Sequence, residues 1–156
     1  MNQHFLYPAT LFVSIEASYI DTILGSCVAV CLHDPVNKIG GMNHYMLPFW
    51  NGQGLASPKY GNIAIEKLLE QMLERGSKKG NLVAKVFGGG EVLDTQTQLF
   101  KIGKNNIELA LKMLEQKRIP IVSSHTGGKN GRKIRFNTLT GEVGMKIIQQ
   151  QKKISV

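Results

Sequence analysis

The chain has 156 residues, 42% hydrophobic and 19% charged, with a formal net charge of +8. That length fits a single domain over residues 1–156 with a real core, and the balance excludes a disordered tail, a fibre or a repeat array. No apolar stretch approaches the ~18 residues of a membrane span, so direct membrane insertion is not expected. The two cysteines, Cys27 and Cys31, sit too close together to staple a fold.

The segment MNQHFLYPATLFVSIE lacks the basic start and continuous apolar run of a signal peptide, so the expected compartment is the reducing cytoplasm. Ala9 to Glu16 is apolar and β-branched and reads as a strand. Tyr19 to Leu24 reads as a second strand, broken by Gly25-Ser26. Val28 to His33 is an almost wholly apolar run too short for an independent helix. Asp34-Pro35-Val36-Asn37 has turn chemistry, and Ile39 to Leu47 returns as a strand. Val28 to Leu47 is therefore expected to be a hairpin that brings Cys27 and His44 together.

Residues Pro48 to Tyr60 read as a loop around Trp50. From Gly61 to Arg75, Ala64, Ile65, Leu68, Leu69, Met72 and Leu73 recur at helical spacing, with Gly76 as the C-terminal stop. Leu82 to Phe87 is a predicted strand ending at Gly88-Gly89-Gly90. A second amphipathic helix is expected from an N-cap at Asn105 through Ile107, Ala110, Leu111 and Leu114. Ile119 to Ser123, Lys133 to Phe136 and Glu142 to Ile148 complete the strands, with Thr140-Gly141 turning the last pair. The pattern predicts an α+β fold of packed, sandwich-like β-sheets flanked by two main helices.

Cys27 follows directly on the Gly25-Ser26 break. Gly25 lets the chain bend without a Cβ clash, and the amides of Ser26 and Cys27 are placed to meet a developing oxyanion. A thiol needs help to ionise near neutral pH, and a neighbouring imidazolium from His44 supplies it. The competing reading is an inert cysteine among valines, which is how Cys31 reads, and a structural histidine between Met42 and Met46. Cys27, Cys31, His33, His44 and His125 match no standard zinc spacing, and no metal or other cofactor is expected. Gly88-Gly89-Gly90 and the Gly127-Gly128 turn lack both the P-loop pattern and a GxGxxG opening a helix, so they read as turns.

LGSCVAVCLHD, KIGGMNHYMLP, KYGNIAIEKLLEQM, AKVFGGGE, IGKNNIE and GGKNGRKIRF together resemble the chemoreceptor glutamine deamidase family, CheD. The resemblance is collinear over about residues 10 to 148. It implies a protein-glutamine glutaminase that turns receptor glutamines into glutamates, with a catalytic pair falling on Cys27 and His44. It implies a third catalytic member at Thr22, with Asp21 as the alternative, and a fold shared with glutamine-deamidating toxins. His125 takes no role from it. Hydrolysis of glutamate methyl esters is implied as a side activity. The implied partners are methyl-accepting chemotaxis receptors and, in some bacteria, a CheC-type response-regulator phosphatase; a non-enzymatic adaptor for the same partners is the alternative.

The positive charge concentrates at Lys129, Arg132, Lys133 and Arg135, with Lys152 and Lys153 in the tail. It reads either as a solvated surface or as a docking face for acidic receptor helices. No helix-turn-helix, zinc-finger or RNA-stacking signature accompanies it, so no nucleic-acid partner is expected.

Overall fold

The computed structural model describes residues 1–92 and 101–149; Lys152 and Lys153 lie outside them. In chain order the elements are β1 (Asn2–Phe5), β2 (Thr10–Ser14), β3 (Ser18–Leu24), β4 (Val28–Asp34), β5 (Ile39–His44), α1 (Gly61–Glu74), a 3-10 turn (Lys79–Asn81), β6 (Val83–Gly88), α2 (Ile102–Gln116), β7 (Ile121–Thr126), β8 (Gly131–Asn137) and β9 (Val143–Ile148). They form a four-stranded sheet in the order β1-β3-β8-β9 and a five-stranded sheet in the order β2-β5-β4-β6-β7. Both are mixed: β1 runs parallel to β3 and β7 to β6, while the other neighbours are antiparallel.

The residues of β4 explain the layering. All seven are buried, which an alternating one-faced strand cannot achieve. Val28, Val30 and Leu32 point into a core shared with Ile65, Leu68 and Met72 of α1 and Leu109, Ala110 and Leu114 of α2. Ala29 and Cys31 point the other way, into a core shared with Ile20, Leu24, Ile134 and Phe136 of the four-stranded sheet. The five-stranded sheet is thus the middle layer, covered by helices on one face and by the second sheet on the other. The expected α+β architecture is what the chain adopts.

Helix α1 ends as its glycine suggested. Gly76 has φ +103°, and the amides of Gly76 and Ser77 reach the carbonyls of Leu73 and Met72. Helix α2 departs from expectation: it begins at Ile102, three residues before the predicted cap, and Asn106 is buried within it. Strand β1 was not anticipated either, because its NQHF carries no apolar alternation and pairs only along one edge. Among the described residues no helix is long and apolar enough to cross a membrane.

Candidate active site

The site lies where the two sheets meet at one end of β4. The bridge from Val28 to Tyr45 continues the β4–β5 ladder, so His44 falls opposite Ala29, and Cys27 lies two residues before Ala29. Side chains alternate along strands, and Cys31, Ala29 and Met42 all face the four-stranded sheet. Cys27 and His44 share that face as diagonal neighbours, a relation that sets Cα atoms about 7–8 Å apart. The predicted hairpin thus brings the two onto one face.

On the facing sheet, β3 alternates inward and outward, with Thr22 buried and Asp21 half-buried. The Thr22 hydroxyl oxygen lies 2.8 Å from His44 Nδ1 and 2.7 Å from the Leu6 carbonyl. Proton accounting fixes the tautomer. A carbonyl only accepts, so the single hydroxyl proton of Thr22 goes to Leu6, and Nδ1–H of His44 must donate to Thr22. His44 Nε2 is left with its lone pair, buried, and without a hydrogen-bond partner among the described residues.

Asp21, the alternative third member, points away from the histidine. It takes a two-pronged ion pair from Arg135 at 2.8 and 3.0 Å, and the Arg135 guanidinium lies over the Tyr19 ring. One step along a strand reverses the face, and this separates Thr22 from Asp21.

Burial drives both side chains toward their neutral forms. It lowers His44 from the ordinary 6.5 to about 4. It raises the Cys27 thiol, against which the residue's own main-chain amide pulls downward. The imidazolium expected from the sequence is therefore not the resting form at neutral pH; His44 rests as a neutral base. Cys31 is fully enclosed and its thiol is pushed far up, as suits an inert core cysteine.

The turn bearing Cys27 is held by groups that sequence reasoning passed over. The carbonyls of Gly25 and Cys27 accept from the amides of Gly90 and Gly89 at 2.9 and 2.8 Å. The glycine triplet is thus a backbone platform as well as a strand-end turn. Gly88 has φ +109°, and a Cβ there would come within 2.2 Å of the Cys27 carbonyl oxygen. From α2, the Asn106 amide donates to the carbonyls of Ser26 and Met46 at 3.1 and 3.0 Å. The signal for Asn106 was present in the sequence: a polar residue in the buried stripe of Gly103, Ala110 and Leu114.

The basic cluster is not one surface. Arg132 is fully buried, spending its guanidinium on His125 and on the carbonyls of Gly127 and Asn130, and it is removed from the docking set. Buried Arg132 clamps the 127–130 turn at its two ends, Nη2 donating to the Gly127 and Asn130 carbonyls while Nη1 bonds His125. Arg135 is committed to Asp21, while Lys129 and Lys133 are exposed. Among the described residues no three His, Cys, Asp or Glu side chains gather as a metal site.

The buried threonine–histidine pair thus shares a sheet face with the turn-borne cysteine, between two mixed sheets and beneath a pair of helices. A family model described as "CheD chemotactic sensory transduction" matches residues 46–147. The probable chemoreceptor glutamine deamidase CheD of Trichlorobacter lovleyi is 54% identical over 143 residues, 92% of this chain and 89% of that protein. That of Sulfurimonas denitrificans is 48% identical over 147 residues, 94% of each. The chain belongs to the CheD family. The family model's match starts just past His44, but the Sulfurimonas alignment leaves too few terminal residues to omit Thr22, Cys27 or His44.

Proposed function

We propose that this protein hydrolyses glutamine side chains on chemoreceptors to glutamate, with Cys27 as nucleophile, His44 as acid and base, and Thr22 orienting the imidazole. The carrying observation is the buried Nε2 of His44, without a hydrogen-bond partner among the described residues, left unprotonated by the Thr22 hydrogen bond at Nδ1 and sharing a sheet face with Cys27.

The steps follow from amide chemistry. As Cys27 Sγ attacks the glutamine side-chain carbonyl, its proton passes to His44 Nε2 and the carbonyl electrons move onto oxygen. Main-chain amides of Ser26 and Cys27 meet that oxyanion. Collapse breaks the C–N bond, His44 returns its proton to the departing nitrogen, and ammonia leaves a γ-glutamyl thioester. Water, deprotonated by the same Nε2, attacks the thioester, and glutamate and the thiol are released. A neutral resting pair suits this cycle, because charge separates only as the substrate's own carbonyl begins to carry it. The same steps applied to a glutamate methyl ester release methanol instead of ammonia.

Peptide mass spectrometry of a receptor cytoplasmic fragment incubated with the protein tests the reading. Conversion of specific glutamines to glutamate, with release of ammonia, is the expected result; an unchanged fragment overturns it. The adaptor alternative, toward receptors or a CheC-type phosphatase, is separated by Cys27→Ala, which removes the thiol and keeps the surface.

A further inference from the structure

We propose that Asn106 is a positioning residue whose side-chain amide turns the Cys27 main-chain N–H into the site as an oxyanion donor. This rests on the deamidase reading and names a part of its machinery that lies on a different element from the catalytic pair.

Three successive carbonyls of the nucleophile turn are each held from outside it. Gly25 is held by Gly90 N–H, Ser26 by Asn106 Nδ2, and Cys27 by Gly89 N–H. A trans peptide is planar, and its C=O and N–H point to opposite sides. Fixing a carbonyl therefore fixes the amide of the next residue. The amide after Cys27, that of Val28, is spent on the Tyr45 carbonyl. The amides of Ser26 and Cys27 donate to no backbone carbonyl among the described residues. The Ser26 carbonyl is drawn toward α2, so the Cys27 N–H is turned the other way, to the side of its own sulfur.

The two glycine contacts are made by main chain. The Ser26 contact alone depends on a side chain, so it is the one a substitution can remove cleanly. Asn106 is well built for this task. Both of its partners are carbonyls, which settles which end of the amide faces them. Its second bond, to Met46 at 3.0 Å, ties the same amide to the chain just past His44. The Asn106 main-chain carbonyl accepts from the Tyr45 hydroxyl at 2.5 Å, which anchors this turn of α2 against the chain just past β5. One fully buried side chain thus joins the nucleophile turn to the strand end that carries the base.

The test compares wild type, Asn106→Leu and Asn106→Asp, with Tyr45→Phe as the control that loosens α2 but keeps the amide. Removal of an oxyanion donor costs roughly 10²-fold or more in kcat. The Asn106 variants should lose about that much kcat on a receptor fragment, and as much affinity for a peptide bearing glutamate γ-semialdehyde in place of the glutamine, whose thiohemiacetal oxygen needs the same donor. KM and the rate of Cys27 alkylation by iodoacetamide, which needs no oxyanion donor, should stay within a factor of about three. Unchanged kcat, or alkylation falling in step with kcat, overturns the proposal. If neither variant folds, the Cys27 amide resonance of ¹⁵N-labelled wild type decides. It should shift on aldehyde binding, and an unmoved resonance overturns the assignment. Should wild type deamidate nothing, the deamidase reading fails alone; the Cys27 amide resonance of Asn106→Asp still decides whether Asn106 orients that peptide.

Discussion

The two ends of β4 both bury polar side chains, and they treat them in opposite ways. At the Asp34 end, the carboxylate accepts from the amides of Val36 and Asn37, the Asn37 side chain and the Ser77 hydroxyl, all between 2.8 and 3.0 Å. Burial pushes the Asp34 carboxyl up, but those four donors together bring it below the usual carboxylate range. Toward the Cys27 end, His44 Nε2 on the face of the four-stranded sheet, Asn43 Nδ2 and Asn106 Oδ1 on the helix side, and Arg132 Nε are buried with no hydrogen-bond partner among the described residues. Unpaired buried polar atoms are costly, and of these His44 Nε2 is the one that shares the Cys27 face of the middle sheet. The saturated end closes a turn; the unsaturated end carries the candidate site.

The largest expected break in this comparison is at the sulfur. Cys27→Ala should abolish ammonia release from a receptor fragment while circular dichroism and the urea midpoint stay near wild type. Cys31→Ala, four residues along the same face, should cost on the order of 1 kcal/mol of stability through packing and leave kcat intact. Full activity in folded Cys27→Ala removes the nucleophile assignment.

Thr22→Val comes next. It keeps the shape but takes away the acceptor that fixes the His44 tautomer, and such losses run to about 10²–10⁴ in rate. Expected is a kcat loss in that range, with KM little changed. Asp21→Asn, which disturbs the exposed pair with Arg135, should be silent in the same assay. Equal effects from the two would return the third role to dispute.

At the saturated end the effect should fall on stability alone. Asp34→Ala strips the partner from four donors, and hydrogen bonds to a charged group are worth about 1.5–3 kcal/mol each before relaxation. A loss of about 3 kcal/mol in urea unfolding is expected, with kcat per folded molecule unchanged. A matching fall in kcat would mean the two ends are not independent.

The pH dependence separates them again. The fold depresses His44 from 6.5 to about 4, so the unfolded chain binds the proton first as pH falls. The neutral histidine's contribution is whole above about pH 6.5 and is lost on the way down to pH 4. At ~1.36 kcal/mol per unit this amounts to about 3 kcal/mol at most. Urea midpoints across that window should fall in wild type and fall less in His44→Gln; parallel curves would show that His44 is not buried neutral. The Asp34 contribution, from a lowered carboxylate, is lost only at still lower pH.

The smallest effect belongs to the surface. Lys129→Glu with Lys133→Glu should lower kcat/KM on the acidic receptor fragment by a few-fold at low salt, a difference that shrinks as the Debye length falls from about 10 Å at 0.1 M. The same kcat/KM and salt slope in both proteins would show that these lysines do not meet the receptor.

Much of this was legible in the chain itself. The apolar run of β4, the 3.6-residue period of α1 and the Asp34–Asn37 turn are local patterns, and local patterns report local backbone preferences. The Gly25-Ser26-Cys27 break and the hairpin that follows placed a cysteine and a histidine together from spacing alone. Spacing could not choose between Thr22 and Asp21, because which face of β3 meets the histidine depends on how one sheet lies on the other. Nor could it separate Arg132, folded inward onto the 127–130 turn, from the exposed Lys133 beside it. The resting charge of the site was likewise beyond the sequence. An imidazole beside a thiol suggests an ion pair, but the burial that keeps both neutral exists only once two sheets close over them, since desolvation belongs to the assembled fold and not to any residue within it.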